Sequence, residues 1–450
     1  MLWVLFWATV AGGIMQRLSS RIGIVSGKHL AEVCQEHLLP IPNFLLWVMV
    51  EIAVIGSDMQ EVIGTSLALY LLTDGWLKIP WGCLITIIDT FTFLFLDRYG
   101  RRRLEFFFAF LIAVMTVSFS INYGRDLPDQ KEIALGTVIP SIPNKDAMMQ
   151  AVAAAGAVIM PHNFFLHSGL VSNRDINRKS KSEVRDANFY TALEGNIALG
   201  ISFVINLLVI AVFSLGMHNT TNKEVYELCK ARDHKDWWTS EFNCSTNECW
   251  NEQVEGDLYR GGIYLGCAFG AAYCYIWAVG ILASGQASTM TGTYAGQFCM
   301  QGFLNLEWPQ WKILVVTRLS AMLPTLLVAF FTDIAMITTL NDYLNAVMFI
   351  MLPFAVIPCL MFSSSRIVMG DFKNSKLSNV LTCGIGVVVI LINFYFAFQS
   401  FEKWIGDAGW FWWIPVTVFS LIYLLFVIYL AIYLIICLGW ESLVNYSVIQ

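Results

Sequence analysis

Eleven apolar stretches, each about as long as a helix that crosses a bilayer, partition this 450-residue chain. They run 2–24, 41–73, 79–96, 104–123, 147–171, 187–216, 260–284, 311–332, 334–363, 378–400 and 410–438. Inside hydrocarbon every backbone polar group needs an internal partner, so stretches of this kind fold as helices. The expectation is an all-α polytopic membrane protein. Composition agrees. Charged residues make up 13% of the chain, about half the usual share of a soluble domain. A soluble enzyme and a disordered chain are therefore excluded. Lys and Arg number 27 against 33 Asp and Glu, a net charge of −6, which leaves no basic face for nucleic acid. The first stretch starts at Met1 without the basic lead-in or small-residue cleavage site of a signal peptide, so it reads as a span.

Charge in the loops sets the expected orientation. Basic clusters follow span one (Arg17, Arg21, Lys28), span three (Arg98, Arg101, Arg102, Arg103), span five (Arg174, Arg178, Lys179, Lys181) and span nine (Arg366, Lys373, Lys376). All four follow odd-numbered spans, and the positive-inside rule makes their side cytoplasmic. The long loop 217–259 then faces outside. It carries two glycosylation sequons, at Asn219 and Asn243. It also holds Cys229, Cys244 and Cys249, among which one disulfide is expected on the oxidising side. The other eight Cys lie in or near spans and read as packing residues. An odd number of spans places the start of the chain outside and its end inside.

Ionisable groups within spans are costly and mark function by default. Span two carries Glu51, Asp58 and Glu61. Asp58 and Glu61 are three residues apart on one helix face, within the small, polar run Gly56-Ser57-Asp58-Met59-Gln60-Glu61-Val62-Ile63-Gly64-Thr65. Two neighbouring carboxylates in low dielectric resist being ionised together, which makes them candidate proton carriers. The plainer alternative is a pair of acids hydrogen-bonded to adjacent helices. Span five reads Gly156-Ala157-Val158-Ile159-Met160-Pro161-His162-Asn163. Pro161 removes a backbone donor and crowds the carbonyl four residues back, so the helix is expected to break near Ala157. Broken helices at the bilayer midplane expose carbonyls to ions. Met160 adds a thioether, a donor suited to soft transition metals and not to Mg²⁺ or Ca²⁺. His162 is a candidate ligand, proton relay or satisfied core histidine.

Further polar groups fall in spans: Asp89, Glu194, Asn196, Arg318, Asn341, Asp342 and Asn345. Arg318 needs a partner, and Asp58 or Glu61 would serve. The small, polar segment 285–298 after span seven reads as a gate or a closely packed loop. No P-loop, zinc spacing, nucleophile elbow or dinucleotide fingerprint occurs.

The run from Asp58 to Thr65, the Met160-Pro161-His162-Asn163 motif with Leu166-His167-Ser168, and the long segment 285–298 resemble the Nramp family (natural resistance-associated macrophage proteins, divalent metal transporters). Leu352-Pro353-Phe354-Ala355 extends the likeness, which runs along nearly the whole chain. The resemblance implies a helical bundle of two inverted five-helix repeats, as in amino-acid transporters. It implies proton-coupled symport of Fe²⁺ or Mn²⁺ into the cytosol, across the plasma membrane or an endosomal or lysosomal membrane, with no permanently bound cofactor. Met160 would be the thioether ligand and Ala157 a carbonyl ligand. Asp58, Glu61 and His162 would lie on the proton route, with Arg174 and Arg318 as basic partners. Span nine offers Asn345, but Met348 stands where the family has Gln, which makes it a candidate second soft ligand or gate residue.

The family's Asp-Pro-Gly-Asn break in its first helix has no counterpart here. The stretch at Met1 resembles the second helix instead, so a missing first helix accounts for the odd span count. Two other readings follow: a truncated, non-transporting or regulatory form, and a Na⁺-coupled organic solute transporter of the same superfold.

Overall fold

Proline and glycine, more than hydropathy, decide where the helices of this chain start and stop. The computed structural model describes residues 2–125, 129–142, 145–218, 220–231, 236–244, 246–254, 256–306, 308–332, 334–408 and 413–438. α1 (Leu2–Ser26) stops where Gly27 takes φ +73°, a left-handed conformation open to glycine. α2 (Leu30–His37) follows at once. Its N-terminus is closed by a capping box in which Glu32 accepts from the His29 backbone N–H at 2.9 Å. α3 (Pro40–Leu72) opens on proline, whose missing N–H is harmless in a first turn, and stops before Asp74 and Gly75, both at positive φ.

α4 (Ile79–Arg125) is one helix where the hydropathy suggests two, 79–96 and 104–123. The arginine run between them interrupts hydrophobicity but contains no proline, so backbone helicity continues through it. Asp89 and these arginines fall in 87–105, whose side chains lie outside the described residues. α5 (Gln130–Val138) is capped by Asp129. α6 (Lys145–Val158) and α7 (Pro161–Ser172) are the two halves of the expected broken span. α8 (Lys181–Met217) starts on a Ser180 cap.

Three short helices, α9 (Asn222–Ala231), α10 (Asp236–Glu241) and α11 (Asn247–Asn251), fold the long loop. α12 (Leu258–Phe269) and α13 (Ala271–Leu304) meet at Gly270, φ +115°. The segment 285–298 is therefore the interior of a helix and not a loop. α14 (Gln310–Phe331), α15 (Ile334–Met351), α16 (Pro353–Ser364), α17 (Arg366–Met369), α18 (Lys376–Ala408) and α19 (Trp413–Cys437) complete the chain. Among the described residues, eight stretches are helical, long and apolar enough to cross a bilayer; the protein is a multi-pass membrane protein.

α3 packs along α13, α1 lies against α7 and α8, and α15 lies against α6 and α3. Two apolar cores result. One gathers Val50, Ala53, Phe165, Phe354 and Met361. The other gathers Met59, Val62, Trp238, Ile263 and Cys274. The polar stretch of α3 falls where the first gives way to the second.

The two ends of the bundle differ in chemistry. At one end Arg21 donates to Asn374 Oδ1 at 2.6 Å and to the Phe372 carbonyl, and Arg178 Nε donates to the Ile24 carbonyl at 3.1 Å. Lys181 pairs with Asp371 at 2.5 Å and holds that carboxyl below its ordinary pKa. Basic residues that follow different spans thus meet on one side, as the charge pattern requires. At the other end Trp3 and Trp7 donate to the Ser141 and Val138 carbonyls, and Tyr275 donates to Asp74 Oδ1 at 2.8 Å.

That end also holds two disulfides. Cys244 pairs with Cys249, as one bond within the loop demands. Cys229 pairs with Cys267 of α12, a cysteine that sequence reasoning assigned to inert packing. The correction has a simple cause. Position 267 belongs to an apolar stretch by composition, but the short α12 lies at its outer end and packs directly on α9. Asn243 is exposed in the same loop, whereas Asn219 lies outside the described residues.

Candidate functional site

Arg318, on α14, is buried and turned toward α3. Its Nη1 lies 3.1 Å from both carboxylate oxygens of Glu61 and 3.4 Å from Asp58 Oδ1. Nη2 donates to the Thr289 carbonyl at 2.7 Å and to Thr293 Oγ1 at 3.1 Å. Thr289 Oγ1 in turn donates to Glu61 Oε1. One guanidinium therefore joins Asp58 and Glu61 of α3 to the backbone of α13, as the need for a partner to Arg318 led us to expect. A planar fork of five donors suits this multiple pairing better than an ammonium. Neither Thr289 nor Thr293 was singled out in the sequence. Their spacing of four within the glycine-rich segment is the signal that places both on one helix face.

The glycines of that segment let α13 approach α3. A Cβ on Gly285 would come within 2.6 Å of Thr65 Oγ1, and one on Gly292 within 2.5 Å of Asp58 Oδ1. Gly296 faces Val54 and Thr317. Glycine here serves close packing within a helix, so the segment packs closely as expected but is not a loop.

The broken span forms the second half of the site. α6 keeps its ladder as far as Ile159, which donates to the Ala155 carbonyl at 2.9 Å. Pro161 has no N–H to give the Ala157 carbonyl. Ile159 and Met160 are non-helical, and Pro161 opens α7. The break sits two residues beyond the expected position because proline, disruptive inside a helix, is well placed in the first turn of the next one. Ala157 is exposed, Met160 half-buried against the first core, and His162 buried with Nδ1 free of any hydrogen bond.

α15 brings the two halves together. Gly156 rests against the Asn345 carbonyl so closely that no Cβ would fit. One turn further on, the fully buried Met348 lies beside Gly56 of α3. Asn345 and Met348 thus occupy the stretch of α15 between the helix break and the acidic stretch of α3. Glu51, two turns before Asp58, is buried on the same helix. Arg174 lies elsewhere, at the end of α7. It pairs with Glu194 of α8 at 2.9 Å and donates to Thr191 at 3.1 Å. Among the described residues no three His, Cys, Asp or Glu side chains gather into a metal cage. Cation binding at the break would fall to one soft thioether and to carbonyl oxygens.

Comparison with known proteins shows which family the chain resembles along its length. The family model "Natural resistance-associated macrophage protein-like" matches residues 1–234 and 248–399. Protein Malvolio of Drosophila melanogaster is 48% identical over all of this chain and 75% of its own length. The NRAMP-like transporter smf-1 of Caenorhabditis elegans is 46% identical over 96% of this chain and 76% of its own. Natural resistance-associated macrophage protein 2 of Mus musculus is 46% identical over 99% and 75%. Among solved structures, a manganese transporter of Eremococcus coleocola superposes with a TM-score of 0.77 at 26% identity, covering 97% of this chain and 88% of that one. A nucleobase-cation-symport-1 transporter, MHP1, shares the fold alone, with a TM-score of 0.54 at 12% identity.

Proposed function

Because the chain belongs to the Nramp family, we propose that it carries divalent transition metal ions, Mn²⁺ and Fe²⁺, into the cytosol in symport with protons. Its relative smf-1 is named a transporter, and the similar Eremococcus coleocola structure is named a manganese transporter. The observation that carries the finer reading is the contact of α15 with both the break at Ile159–Met160 and the acidic stretch of α3. A soft donor and a carbonyl released by proline stand on one side of that helix. Two carboxylates sharing one arginine stand on the other.

The division of labour follows from the donors. Met160 and the carbonyl of Ala157 would take the metal, with Asn345 and Met348 of α15 as further ligands or as a gate. A thioether discriminates against Mg²⁺ and Ca²⁺, which prefer oxygen. Asp58 and Glu61 would take the proton. A proton on either acid removes part of the charge that holds Arg318, and so loosens α3 from α14 and α13. Proton binding would thereby act on helix packing next to the metal. His162, buried beside the break, would relay protons. Arg174, paired with Glu194 near the basic end, would mark their way out.

The fold shared with MHP1 does not separate a metal from an organic solute. The donors at the break do, since an amino-acid or nucleobase site has no use for Met next to Pro-His. The test is Mn²⁺ uptake into proteoliposomes at several external pH values. Wild-type uptake should rise as the outside becomes acidic, and Asp58→Asn combined with Met160→Ala should abolish it. Normal transport by that double variant would refute the site.

A further inference from the structure

A groove of about 380 Å³ runs between α1 and α8. Its volume is in the range of small-molecule sites, roughly 300–1,000 Å³. Phe6 and Phe203, edge to face with centroids 5.6 Å apart, close one end. Gly13 and Gly200 make its room; around Gly200 nothing lies within 4 Å of a would-be Cβ. Arg17 and Asn196 form the other end. Arg17 is exposed, and among the described residues it has no ion pair. Asn196, on α8, lies with its Oδ1 4.0 Å from the Cβ position of Gly13.

The groove has a direction. Its aromatic end adjoins Trp3 and Trp7, which bond to the 138–141 segment. Its cationic end lies one turn before Arg21, in the basic end of the bundle. From Phe6 to Arg17 is eleven residues of helix, about 16 Å at 1.5 Å per residue.

The geometry points to a binding site for one anionic phospholipid of the leaflet at the basic end. An acyl chain lies along the glycine-lined floor as far as Phe6 and Phe203, and the phosphate meets the Arg17 guanidinium. Charge and length argue together. A groove for a neutral lipid alone would not need an unpaired guanidinium at the end nearer the basic side, and one for a free anion would not need an apolar channel about 16 Å long. Basic pockets between transmembrane helices on the cytoplasmic side recognise anionic headgroups in this way. None of the residues that line the groove belongs to the proposed metal or proton path, so the proposal stands or falls independently of it.

Native mass spectrometry of the detergent-solubilised full chain tests this, with phosphatidylserine or phosphatidylcholine added. One phosphatidylserine should be retained at least tenfold more strongly than phosphatidylcholine. Arg17→Gln should abolish the preference and Arg17→Lys should keep most of it. Gly200→Leu, whose Cβ would meet nothing within 4 Å, should reduce retention of both lipids while leaving the protein monodisperse. Equal retention of the two lipids by wild type would overturn the proposal. So would displacement of the bound lipid by glycerophosphoserine, which has the headgroup without chains, because the groove would then be an anion site only. Unchanged phosphatidylserine retention in well-folded Arg17→Gln or Gly200→Leu would overturn it too.

Discussion

Gly292 of α13 brings its Cα against the carboxylate of Asp58 on α3: a Cβ there would stand 2.5 Å from Asp58 Oδ1. The contact is tighter than any real Cβ makes, and a glycine is the only residue that leaves the acid where Arg318 can reach it. Gly292→Ala should therefore push Asp58 away from the guanidinium. Mn²⁺ uptake by Gly292→Ala is expected to fall at least tenfold with normal surface expression. In an Asp58→Asn background the same substitution should add little, because the group it displaces is already altered. Additive losses in the double variant would show that Gly292 acts by some other route.

Arg318 illustrates the asymmetry of buried charge. Breaking a buried ion pair by removing one partner strands the other and typically destabilises by about 3–5 kcal/mol. Arg318→Gln leaves Glu61 and Asp58 without their cation, so its melting temperature should drop sharply. Glu61→Gln together with Arg318→Gln should recover much of that loss. The pH dependence of uptake should flatten in Arg318→Gln if this residue sets the protonation of the pair. A double variant no more stable than Arg318→Gln alone would place the stabilisation elsewhere, in the bonds from Arg318 to Thr289 and Thr293.

The local chemistry was easier to read from the sequence than the helix boundaries were. Pro161 announces its break because proline acts on its own backbone and on the preceding turn. Asp58 and Glu61 announce themselves because three-residue spacing shares a helix face wherever the helix lies. The fusion of 79–96 with 104–123 was hidden, since hydropathy reports solvation and not backbone continuity. The pairing of Cys229 with Cys267 was hidden too, because it depends on α9 resting on α12, a tertiary contact. Thr289 and Thr293 were missed for a related reason. Within a stretch of small residues only the partner helix tells a packing threonine from one that bonds to Arg318.

The two disulfides should differ in what they contribute. Chain-entropy arguments scale with the loop closed, and the separations are 38 residues for Cys229–Cys267 and 5 for Cys244–Cys249. The corresponding stabilisations are about 4 and about 2 kcal/mol. Cys229→Ser with Cys267→Ser should therefore lower the melting temperature more than Cys244→Ser with Cys249→Ser. Differential scanning fluorimetry of the two double variants would settle the order. Equal shifts would mean that the outer loop is held mainly by its apolar contacts around Trp238 and Tyr259.

His29, in the turn between α1 and α2, gives the chain an acid-sensitive joint. Burial lowers its pKa, and Glu32, with Oε1 3.5 Å from Nε2, only partly offsets that. Among the described residues, the other elements around the ring bring no charge. α13 contributes Phe298 and Gly302, and α7 contributes Ser168, which accepts from the Leu30 N–H at 3.0 Å. The folded protein thus holds His29 neutral at a pH where the unfolded chain, titrating near 6.5, already binds a proton. Its contribution to stability is fully present above that value and is lost as pH falls below it toward the folded-state pKa. Wild type should melt at a lower temperature at pH 5.5 than at pH 7.5, and His29→Gln should show a smaller difference between the two. An unchanged difference in His29→Gln would assign the acid sensitivity to groups other than this histidine.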